Sequence, residues 1–516
     1  MRMTVARSDE SIKEFLVEAH TNAIATLLNL APGCTASELE RVVWELVLPL
    51  GRGMLEAGYA VASRELARAE LRAQETAMAD ATFRDDGCYN ACVTSTLGSV
   101  SFPTFAFRNA DGETQNPARE TLFPAYRACR STPLCVELEA YVGKSFAFRS
   151  AESALNYVTH GAVAVADNTI ARHAVTVGKM IDPTWLYTRP CEIERTLEQK
   201  ATRDRKTGRP LLYVSTDAHN LRRYLDDTWT AEFKGFNGIR LWCEDARTGS
   251  LIHLGGEYTW DRCEDVVKHF QRLHRDGILP RDGRYRTVHA QLVFVSDGAK
   301  WLAGRVLPLF DDVVAILDPF HVLEWVAEFA KPLRKLGVGT PVIPGIRRRL
   351  GFEARRKRRK TARRRGHKKR ALRRSHAHNH ANWDFDAPPG KVVDDVIAFI
   401  KSLPRPNSAV VKHYCDFIEK LEENKYRMGY DEYRRRGMQI GSGAMESLHR
   451  QASQIRLKLP GMRACSETGE ALVNLRLLDL VGRWEEFFGQ ADIERQLATA
   501  FGAPTRHAVH PADLAA

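Results

Sequence analysis

Three acidic residues stand where separate elements of the chain can bring carboxylates together. Asp217 ends an apolar run in RPLLYVSTDAH, Asp297 ends another in TVHAQLVFVSDG, and Glu446 follows the Gly-Ser-Gly turn of QIGSGAMESLHR. Magnesium prefers hard oxygen ligands such as carboxylates. Two such ions about 4 Å apart can neutralise both the attacking and the leaving oxygen of a phosphodiester. The three acids therefore predict a two-metal site that cuts phosphodiester bonds.

The elements that must position these acids follow one another between residues 205 and 330. Two strands, GIRLWCEDARTG and SLIHLGGEYTW, follow the strand of Asp217, and an amphipathic helix, DRCEDVVKHFQRLHRDG, precedes the strand of Asp297. A fifth strand, VVAILDPFH, ends near Asp318. This order is that of an RNase H-like core, in which acids on the first strand, the fourth strand and a late helix meet at one edge. The predicted fold class is therefore α/β, a mixed sheet flanked by helices, with an α-helical insertion.

Each acid also has an interpretation without chemistry. Asp297 can cap the helix that follows it, and Glu446 can be a first-turn acid favoured by the helix dipole. Asp226 and Asp227 are alternatives to Asp217 as the first acid. We prefer Asp217 because it closes an apolar strand, whereas the other two lie in a predicted loop.

The positive charge of the chain is concentrated in one segment. The net charge is +12, and residues 347–374 contain 17 Lys or Arg against one acid, so this segment carries +16 and the rest carries −4. Such a segment suits nucleic acid, because each phosphate contact releases condensed counterions; a solvated basic loop is the alternative. The residues predicted to contact DNA here are Arg355, Arg356, Lys357, Arg358, Arg359, Lys360, Arg363, Arg364 and Arg365.

Further DNA contacts are predicted on both sides of the core. The segment 150–178 reads as two short helices joined by a turn, the size of a helix-turn-helix, whose second helix would present Thr169, Arg172 and His173. A pair of helices packed in a core is the alternative. Arg456, Lys458 and Arg463 follow Glu446 within a few turns and are predicted to line the DNA path, although surface helices carry such charges routinely.

Two pairs of cysteines flank a stretch of alternating apolar residues, SVSFPTFAF. Cys88 and Cys92 form a C-x3-C pair, and Cys129 and Cys135 form a C-x5-C pair. One interpretation is a zinc ribbon with one structural Zn²⁺. The spacing is looser than the C-x2-C pairs typical of such sites, so four unrelated cysteines are the other interpretation.

With these blocks in order, the sequence resembles the DDE transposases of bacterial insertion sequences, and is most similar to the ISKra-type family. The resemblance covers roughly 85–490 and rests on VSTDAH, VFVSDGAKW, ILDPFHVLEW, IGSGAMES, LKLPGMRA and LVGRWEEFF. Asp217 is followed by Ala218-His219, where the family would have a glycine. Related groups carry Cys or Asp, two residues and then His after the second acid. His321 is therefore predicted to contact DNA or to steady a carboxylate, with a packing role as the alternative.

The resemblance implies a nuclease and strand transferase with Asp217, Asp297 and Glu446 as metal ligands. Two Mg²⁺ or Mn²⁺ ions would be the cofactors, and transposon terminal repeats and target DNA the double-stranded partners. Hydrolysis at the transposon end would free a 3′-OH that then attacks the target. Pairing two DNA ends implies at least a dimer. A transposase-derived DNA-binding protein that no longer cuts is the alternative, followed by a nuclease acting on RNA–DNA hybrids or junctions.

The chain divides into seven predicted regions: an N-terminal helical region (1–80), a cysteine-containing β region (81–140), a helix-turn-helix-like region (141–190), the first part of the catalytic core (205–330), a basic α-helical insertion (331–430), the second part of the core (431–490) and a mobile tail (491–516). Ser37 is predicted to cap an N-terminal helix together with Glu40. The sequence MRMTVARSDESIKEF lacks an apolar signal segment, and no run of residues is apolar enough to span a bilayer. We therefore expect a cytoplasmic, nucleoid-associated prokaryotic protein without a membrane partner.

Overall fold

The computed structural model describes residues 9–30, 35–77, 84–108, 114–225, 230–262, 265–335, 342–350, 391–405, 407–459, 462 and 464–502. Two compact units are formed, one from Met1–Asp182, Arg222–Glu232 and Ser453–Ala516, the other from Pro183–Leu221 and Phe233–Ala452. The predicted second part of the core, 431–490, is thus divided between the units at Ser453. None of the described helices combines the length and the apolar character needed to cross a membrane.

The N-terminal elements are helical at first and then form a small sheet followed by more helices. They are α1 (Asp9–Leu30), α2 (Ala36–Ala77), β1 (Arg84–Ser95), β2 (Gly98–Arg108), β3 (Thr114–Gln115), α3 (Pro117–Thr121), α4 (Pro133–Ser145), α5 (Phe148–Val158) and α6 (Asp167–Met180). β1 and β2 form an antiparallel hairpin, and β3 pairs with β2.

The middle elements alternate between strands and helices before the chain becomes helical. They are α7 (Pro190–Gln199), β4 (Leu211–Tyr224), β5 (Ala231–Glu244), β6 (Leu251–Thr259), α8 (Val266–Arg275), β7 (Gln291–Ser296), β8 (Val313–Leu317), α9 (Pro319–Lys335), α10 (Val342–Arg349), α11 (Lys391–Lys401), α12 (Ser408–Asn424), α13 (Tyr430–Arg436) and α14 (Gly443–Leu448). Short 3-10 helices occupy Pro183–Leu186, Leu307–Leu309 and Lys425–Arg427, and π-helical turns occupy Leu302–Val306 and His449–Gln454.

The C-terminal elements are α15 (Ile455–Leu457), α16 (Ser466–Leu480), α17 (Trp484–Phe488) and α18 (Ile493–Gly502). The predicted tail from residue 491 therefore begins with a helix, which buries Ile493, Leu497 and Phe501. Four-residue spacing of these apolar side chains gives the helix one face to bury, which explains why this stretch is ordered.

The cap of helix α2 lies two residues before the predicted one. Thr35 and Glu38 form the capping box: the Thr35 backbone N–H and hydroxyl both donate to the Glu38 carboxylate, at 2.8 and 2.7 Å. The sequence T-x-x-E fits the capping-box pattern as well as Ser37 and Glu40 do. The prediction of a capping box was therefore confirmed, but the residues chosen for it were wrong.

The larger sheet contains five strands in the order β6-β5-β4-β7-β8. β5 and β6 pair antiparallel, whereas β4 with β7 and β7 with β8 pair parallel. Side chains of β7 are buried along its whole length, as expected for a parallel strand covered on both faces. The mixed sheet flanked by helices is compatible with the RNase H-like core that the sequence predicts.

One apolar core joins this sheet to the helices that follow it. Buried residues of β4, β7 and β8, including Tyr213, Val293 and Ile316, share a single cluster with residues of α9 to α13. The predicted helical insertion therefore does not form a separate core in its described part, because α10, α11 and α12 contribute Ile346, Val396 and Phe417 to the same cluster.

Candidate active site

Asp217 and Asp297 lie side by side just beyond the residues through which β4 and β7 pair in parallel. Val214 of β4 is paired with Phe294 of β7. Asp217 and Asp297 each lie three residues further along, so the same register places them level with each other. Asp217 lies within β4, and Asp297 directly follows β7. The carboxyl ends of parallel strands open onto one edge of a sheet, where ligands of such folds bind. The structure thus brings together two of the three predicted metal ligands.

The two carboxyls have opposite pKa shifts. For Asp217, burial alone would raise the pKa, but the contact with His449, the Ala218 N–H and the charge of His321 hold the pKa below its usual value. For Asp297, burial raises the pKa and the Asp217 charge adds to this, against the Ala299 N–H. Two neighbouring carboxylates disfavour each other's ionisation, and a bound cation would remove this repulsion.

Buried hydrogen bonds fix the backbone on either side of Asp297. Arg427 donates to the Asp297 carbonyl oxygen at 2.9 Å and to Ser296 Oγ at 2.7 Å.

His321 lies in the first turn of α9, half-buried, with Nδ1 at 3.3 Å from a Glu324 carboxylate oxygen. Its charge influences both aspartates, so the structure places the predicted His321 beside the pair.

Asp318 connects the end of β8 to the Gly-Ser-Gly turn. Its side chain is buried, and Oδ1 accepts the Phe320 N–H at 2.7 Å. Oδ2 accepts the Ser442 N–H at 2.9 Å and also the Ser442 hydroxyl. A buried carboxylate with three donors is a rigid anchor. Asp318 therefore fixes the residue from which α14 starts.

Helix α14 packs on glycines of the antiparallel strands. An added Cβ at Gly238 of β5 would lie 2.4 Å from the Met445 side chain, and one at Gly256 of β6 would lie 3.0 Å from Leu448. Both apolar side chains are fully buried. The helix thus packs closely against the strands at these two glycines, where an added methyl group would require the Met445 and Leu448 side chains to move.

His449 is a site residue that the sequence reasoning did not select. It directly follows α14, is buried, and has Nε2 at 3.4 Å from Asp217 Oδ2. Its Nδ1 lies 2.8 Å from the Tyr258 hydroxyl, and its ring lies 4.2 Å from the ring of His219, centroid to centroid. The signal available in the sequence was its position, three residues after Glu446, which places both on one side of a helix.

Glu446 is exposed and forms an ion pair with Arg450, whose Nη2 lies 3.9 Å from Oε2. Within the described ranges, no group of three or more His, Cys, Asp or Glu side chains is arranged to hold a metal ion. The structure therefore joins Asp217 and Asp297 but does not bring Glu446 to them. The end of the helix that carries Glu446 is nevertheless close to the aspartates, because His449, three residues after Glu446, contacts Asp217.

The four cysteines of the predicted zinc ribbon lie in two different environments. Cys88 and Cys92 are exposed on β1, whereas Cys129 and Cys135 are buried. The Cys135 thiol donates to Glu139 at 3.3 Å, and burial together with this carboxylate raises its pKa. Zinc binding by these four residues stays a prediction.

The two helices predicted around 150–178 exist as α5 and α6, but they do not expose all of the expected DNA contacts. Arg172 is exposed and Thr169 is half-buried. His173 is only 1% exposed; its Nδ1 pairs with the buried Glu139 carboxylate, and its Nε2 lies 3.5 Å from Cys129 Sγ. The prediction that His173 contacts DNA was wrong, because its imidazole is buried and pairs with the Glu139 carboxylate.

Arg456 is also a correction. It is fully buried, its Nε donates to the Gly143 carbonyl at 3.1 Å, and its guanidinium lies 4.6 Å from the centre of the Phe148 ring. Burial lowers the pKa of this side chain to about 10. Arg456 therefore packs inside its unit, whereas Lys458 is exposed and its predicted DNA contact stays a prediction.

Several predicted contacts lie outside the described residues. These are Arg463, the alternative acids Asp226 and Asp227, and the whole basic run from Arg355 to Arg365. Their predicted roles stay predictions.

Comparisons with known proteins give a distant likeness to solved structures. No family model matches this chain, and no curated protein matches it. Among solved structures, the Drosophila P element transposase strand transfer complex is similar over 67% of this chain and 92% of that chain, with 10% sequence identity and a TM-score of 0.27. A likeness this distant says nothing about catalytic residues or substrate.

Replacing Asp318 with Asn should loosen the turn that starts α14. In either orientation the Asn amide nitrogen would face a backbone N–H, of Ser442 or of Phe320, and leave it unpaired at a cost of about 1–3 kcal/mol, while the charge that strengthens the remaining bonds is lost. We expect faster amide hydrogen exchange across residues 438–449, with β4 and β7 still protected.

The matched control is Asp311→Asn, since Asp311 is an exposed aspartate of the same unit that pairs with Arg281 at 3.2 Å. Unchanged exchange across 438–449 in Asp318→Asn would show that Asp318 does not anchor the turn.

Proposed function

We propose that this chain is a DDE transposase, of the kind found in bacterial insertion sequences and most similar to the ISKra-type family. The observation that carries the proposal is the pair Asp217 and Asp297, level with each other on adjacent parallel strands. The sheet order β6-β5-β4-β7-β8 supports it, because it places the strand of Asp217 next to the strand that leads to Asp297, so that the two acids can meet at one edge as the predicted RNase H-like core requires.

The residues at this edge fit hard divalent cations. Asp217 and Asp297 offer oxygen ligands, which suit Mg²⁺ or Mn²⁺, and the raised pKa of Asp297 reflects in part a negative neighbour that a cation would compensate. Two bound ions would supply an activated water and neutralise charge on the phosphate oxygens. Glu446 is proposed as the third ligand, reached by a change of its exposed side chain from Arg450 toward the aspartates.

The reaction proposed is hydrolysis at a transposon end followed by attack of the freed 3′-OH on target DNA. The chain's own residues would orient the reacting groups: Arg427 fixes the Asp297 backbone and Asp318 fixes the start of α14. Exposed Arg172 and Lys458, with the basic run 355–365, are proposed to bind the phosphate backbone.

The proposed partners are double-stranded DNA and at least one further copy of the chain. Two DNA ends must be paired, and α1 and α2 carry exposed apolar side chains, among them Val17, Leu28 and Val47, which suit a helical contact between copies. We propose a cytoplasmic, nucleoid-associated location.

A DNA-binding protein that no longer cuts remains the second candidate. The observation that favours it is the placement of Glu446, which is exposed and paired with Arg450 rather than with the aspartates. The two candidates make the same prediction for DNA binding and opposite predictions for cleavage.

Replacing Glu446 with Gln should abolish cleavage while leaving DNA affinity within about tenfold of wild type, because a lost ligand disables the metal site but not the basic surface. The measurement is cleavage of a supercoiled plasmid carrying the DNA that flanks the gene, with Mg²⁺ or with EDTA, together with binding to the same ends.

Glu328→Gln is the matched control, because Glu328 is an exposed glutamate of the same unit that pairs with Lys331; it should cut like wild type. Cleavage by Glu446→Gln at the wild-type rate would remove Glu446 from the site. Tight binding without cleavage by the wild type would support the inactive DNA-binding protein.

Neutralising the run from Arg355 to Lys360 as Gln should weaken binding to specific and random DNA alike, and should flatten the dependence of affinity on salt, since fewer counterions are released. The measurement is the dissociation constant at several salt concentrations. Binding that is unaltered in both affinity and salt dependence would exclude this run as a DNA contact.

A further inference from the structure

His449 lies where the first predicted metal ligand meets the helix that carries the third. Its Nε2 is 3.4 Å from Asp217 Oδ2. Glu446 precedes it by three residues, almost one helical turn. No sequence pattern assigned a role to this histidine, so its contacts must supply one.

The donor and acceptor roles of the two ring nitrogens follow from their neighbours. An ionised carboxylate only accepts hydrogen bonds, so the nitrogen that faces Asp217 must carry a hydrogen. In a neutral imidazole the other nitrogen then accepts, and the Tyr258 hydroxyl at 2.8 Å from Nδ1 is placed to donate to it. Tyr258, His449 and Asp217 therefore form a chain in which each group orients the next.

The ring of His449 has little freedom to leave this position. It is 3% exposed, and His219 and Tyr258 lie against it with ring centroids 4.2 and 5.6 Å away. Leu448, the preceding residue, is buried against Gly256. A side chain held on several sides can hold a carboxylate in one orientation.

We infer that His449 is a positioning residue that holds the Asp217 carboxylate ready for a divalent cation and connects its placement to that of α14. This rests on the proposed metal-dependent function. Groups that orient metal-binding side chains typically change metal affinity by about 10–100-fold when removed. His449 would therefore be required for metal affinity without being a ligand.

A pair of substitutions separates the two contacts of the ring. The amide nitrogen of Gln can reach the position of Nε2, so His449→Gln keeps a donor to Asp217. The shorter Asn reaches only the position of Nδ1, so His449→Asn keeps a partner for Tyr258 and loses Asp217. The control is His413→Asn, which alters a histidine whose Nε2 lies 2.9 Å from the Phe329 carbonyl oxygen.

The experiment measures Mn²⁺ binding to the full chain by electron paramagnetic resonance, without DNA, alongside circular dichroism to confirm folding. We expect His449→Asn to bind at least tenfold more weakly than wild type, His449→Gln to stay within about threefold, and His413→Asn to be unchanged. Asp217→Asn is included to report on the metal site itself.

Two outcomes would overturn the inference while leaving the proposed function standing. One is wild-type Mn²⁺ affinity in His449→Asn when Asp217→Asn has lost it. The other is an equal loss in His449→Gln and His449→Asn, which would make the ring a packing element. If Asp217→Asn binds Mn²⁺ like wild type, the proposed metal site fails and the inference fails with it.

Discussion

Parallel pairing of β4, β7 and β8 is the constraint on which the proposed site depends. The register that joins Val214 to Phe294 and Ser296 to Leu317, continued past the paired residues, leads to Asp217, Asp297 and Asp318 at one level of the sheet. A shift by one residue in any strand would turn its aspartate to the other face. Arg427 opposes such a shift in β7, because it donates to Ser296 Oγ and to the Asp297 carbonyl oxygen.

The segment 439–449 depends on the same sheet. Gln439 accepts from the Trp242 indole N–H at 3.3 Å, and its backbone N–H donates to the Tyr213 hydroxyl at 3.0 Å. Asp318 then holds Ser442, and His449 reaches Asp217 at the other end. Polar contacts fix the ends of the segment, while apolar burial of Met445 and Leu448, about 1.5–3 kcal/mol for each side chain, fixes its middle. Glu446 lies on the exposed side of this helix, opposite the buried Met445 and Leu448.

The sequence was informative where one local pattern determines the outcome. Alternating and continuous apolar runs predicted the strands, and their order predicted a mixed sheet in which Asp217 and Asp297 meet. Prediction failed where a distant residue decides. From the sequence, Arg456 was predicted to be a surface charge, but it packs against the carbonyl of Gly143 and the ring of Phe148. His173 was predicted to face DNA, but it pairs with Glu139 of another helix. His449 was missed for the same reason, because Asp217 is 232 residues away in sequence.

The most direct test of the proposal that Asp217, Asp297 and Glu446 bind divalent metal at one site is localised cleavage of the protein by bound Fe²⁺. Iron in place of Mg²⁺, with ascorbate and peroxide, generates radicals that cut the backbone close to the ion, and mass spectrometry locates the cuts. We expect cuts near residues 217, 297 and 446 that disappear with excess Mg²⁺ and in Asp297→Asn. Cuts near 217 and 297 but never near 446 would contradict the role of Glu446, and no protected cuts at any of the three would contradict the site.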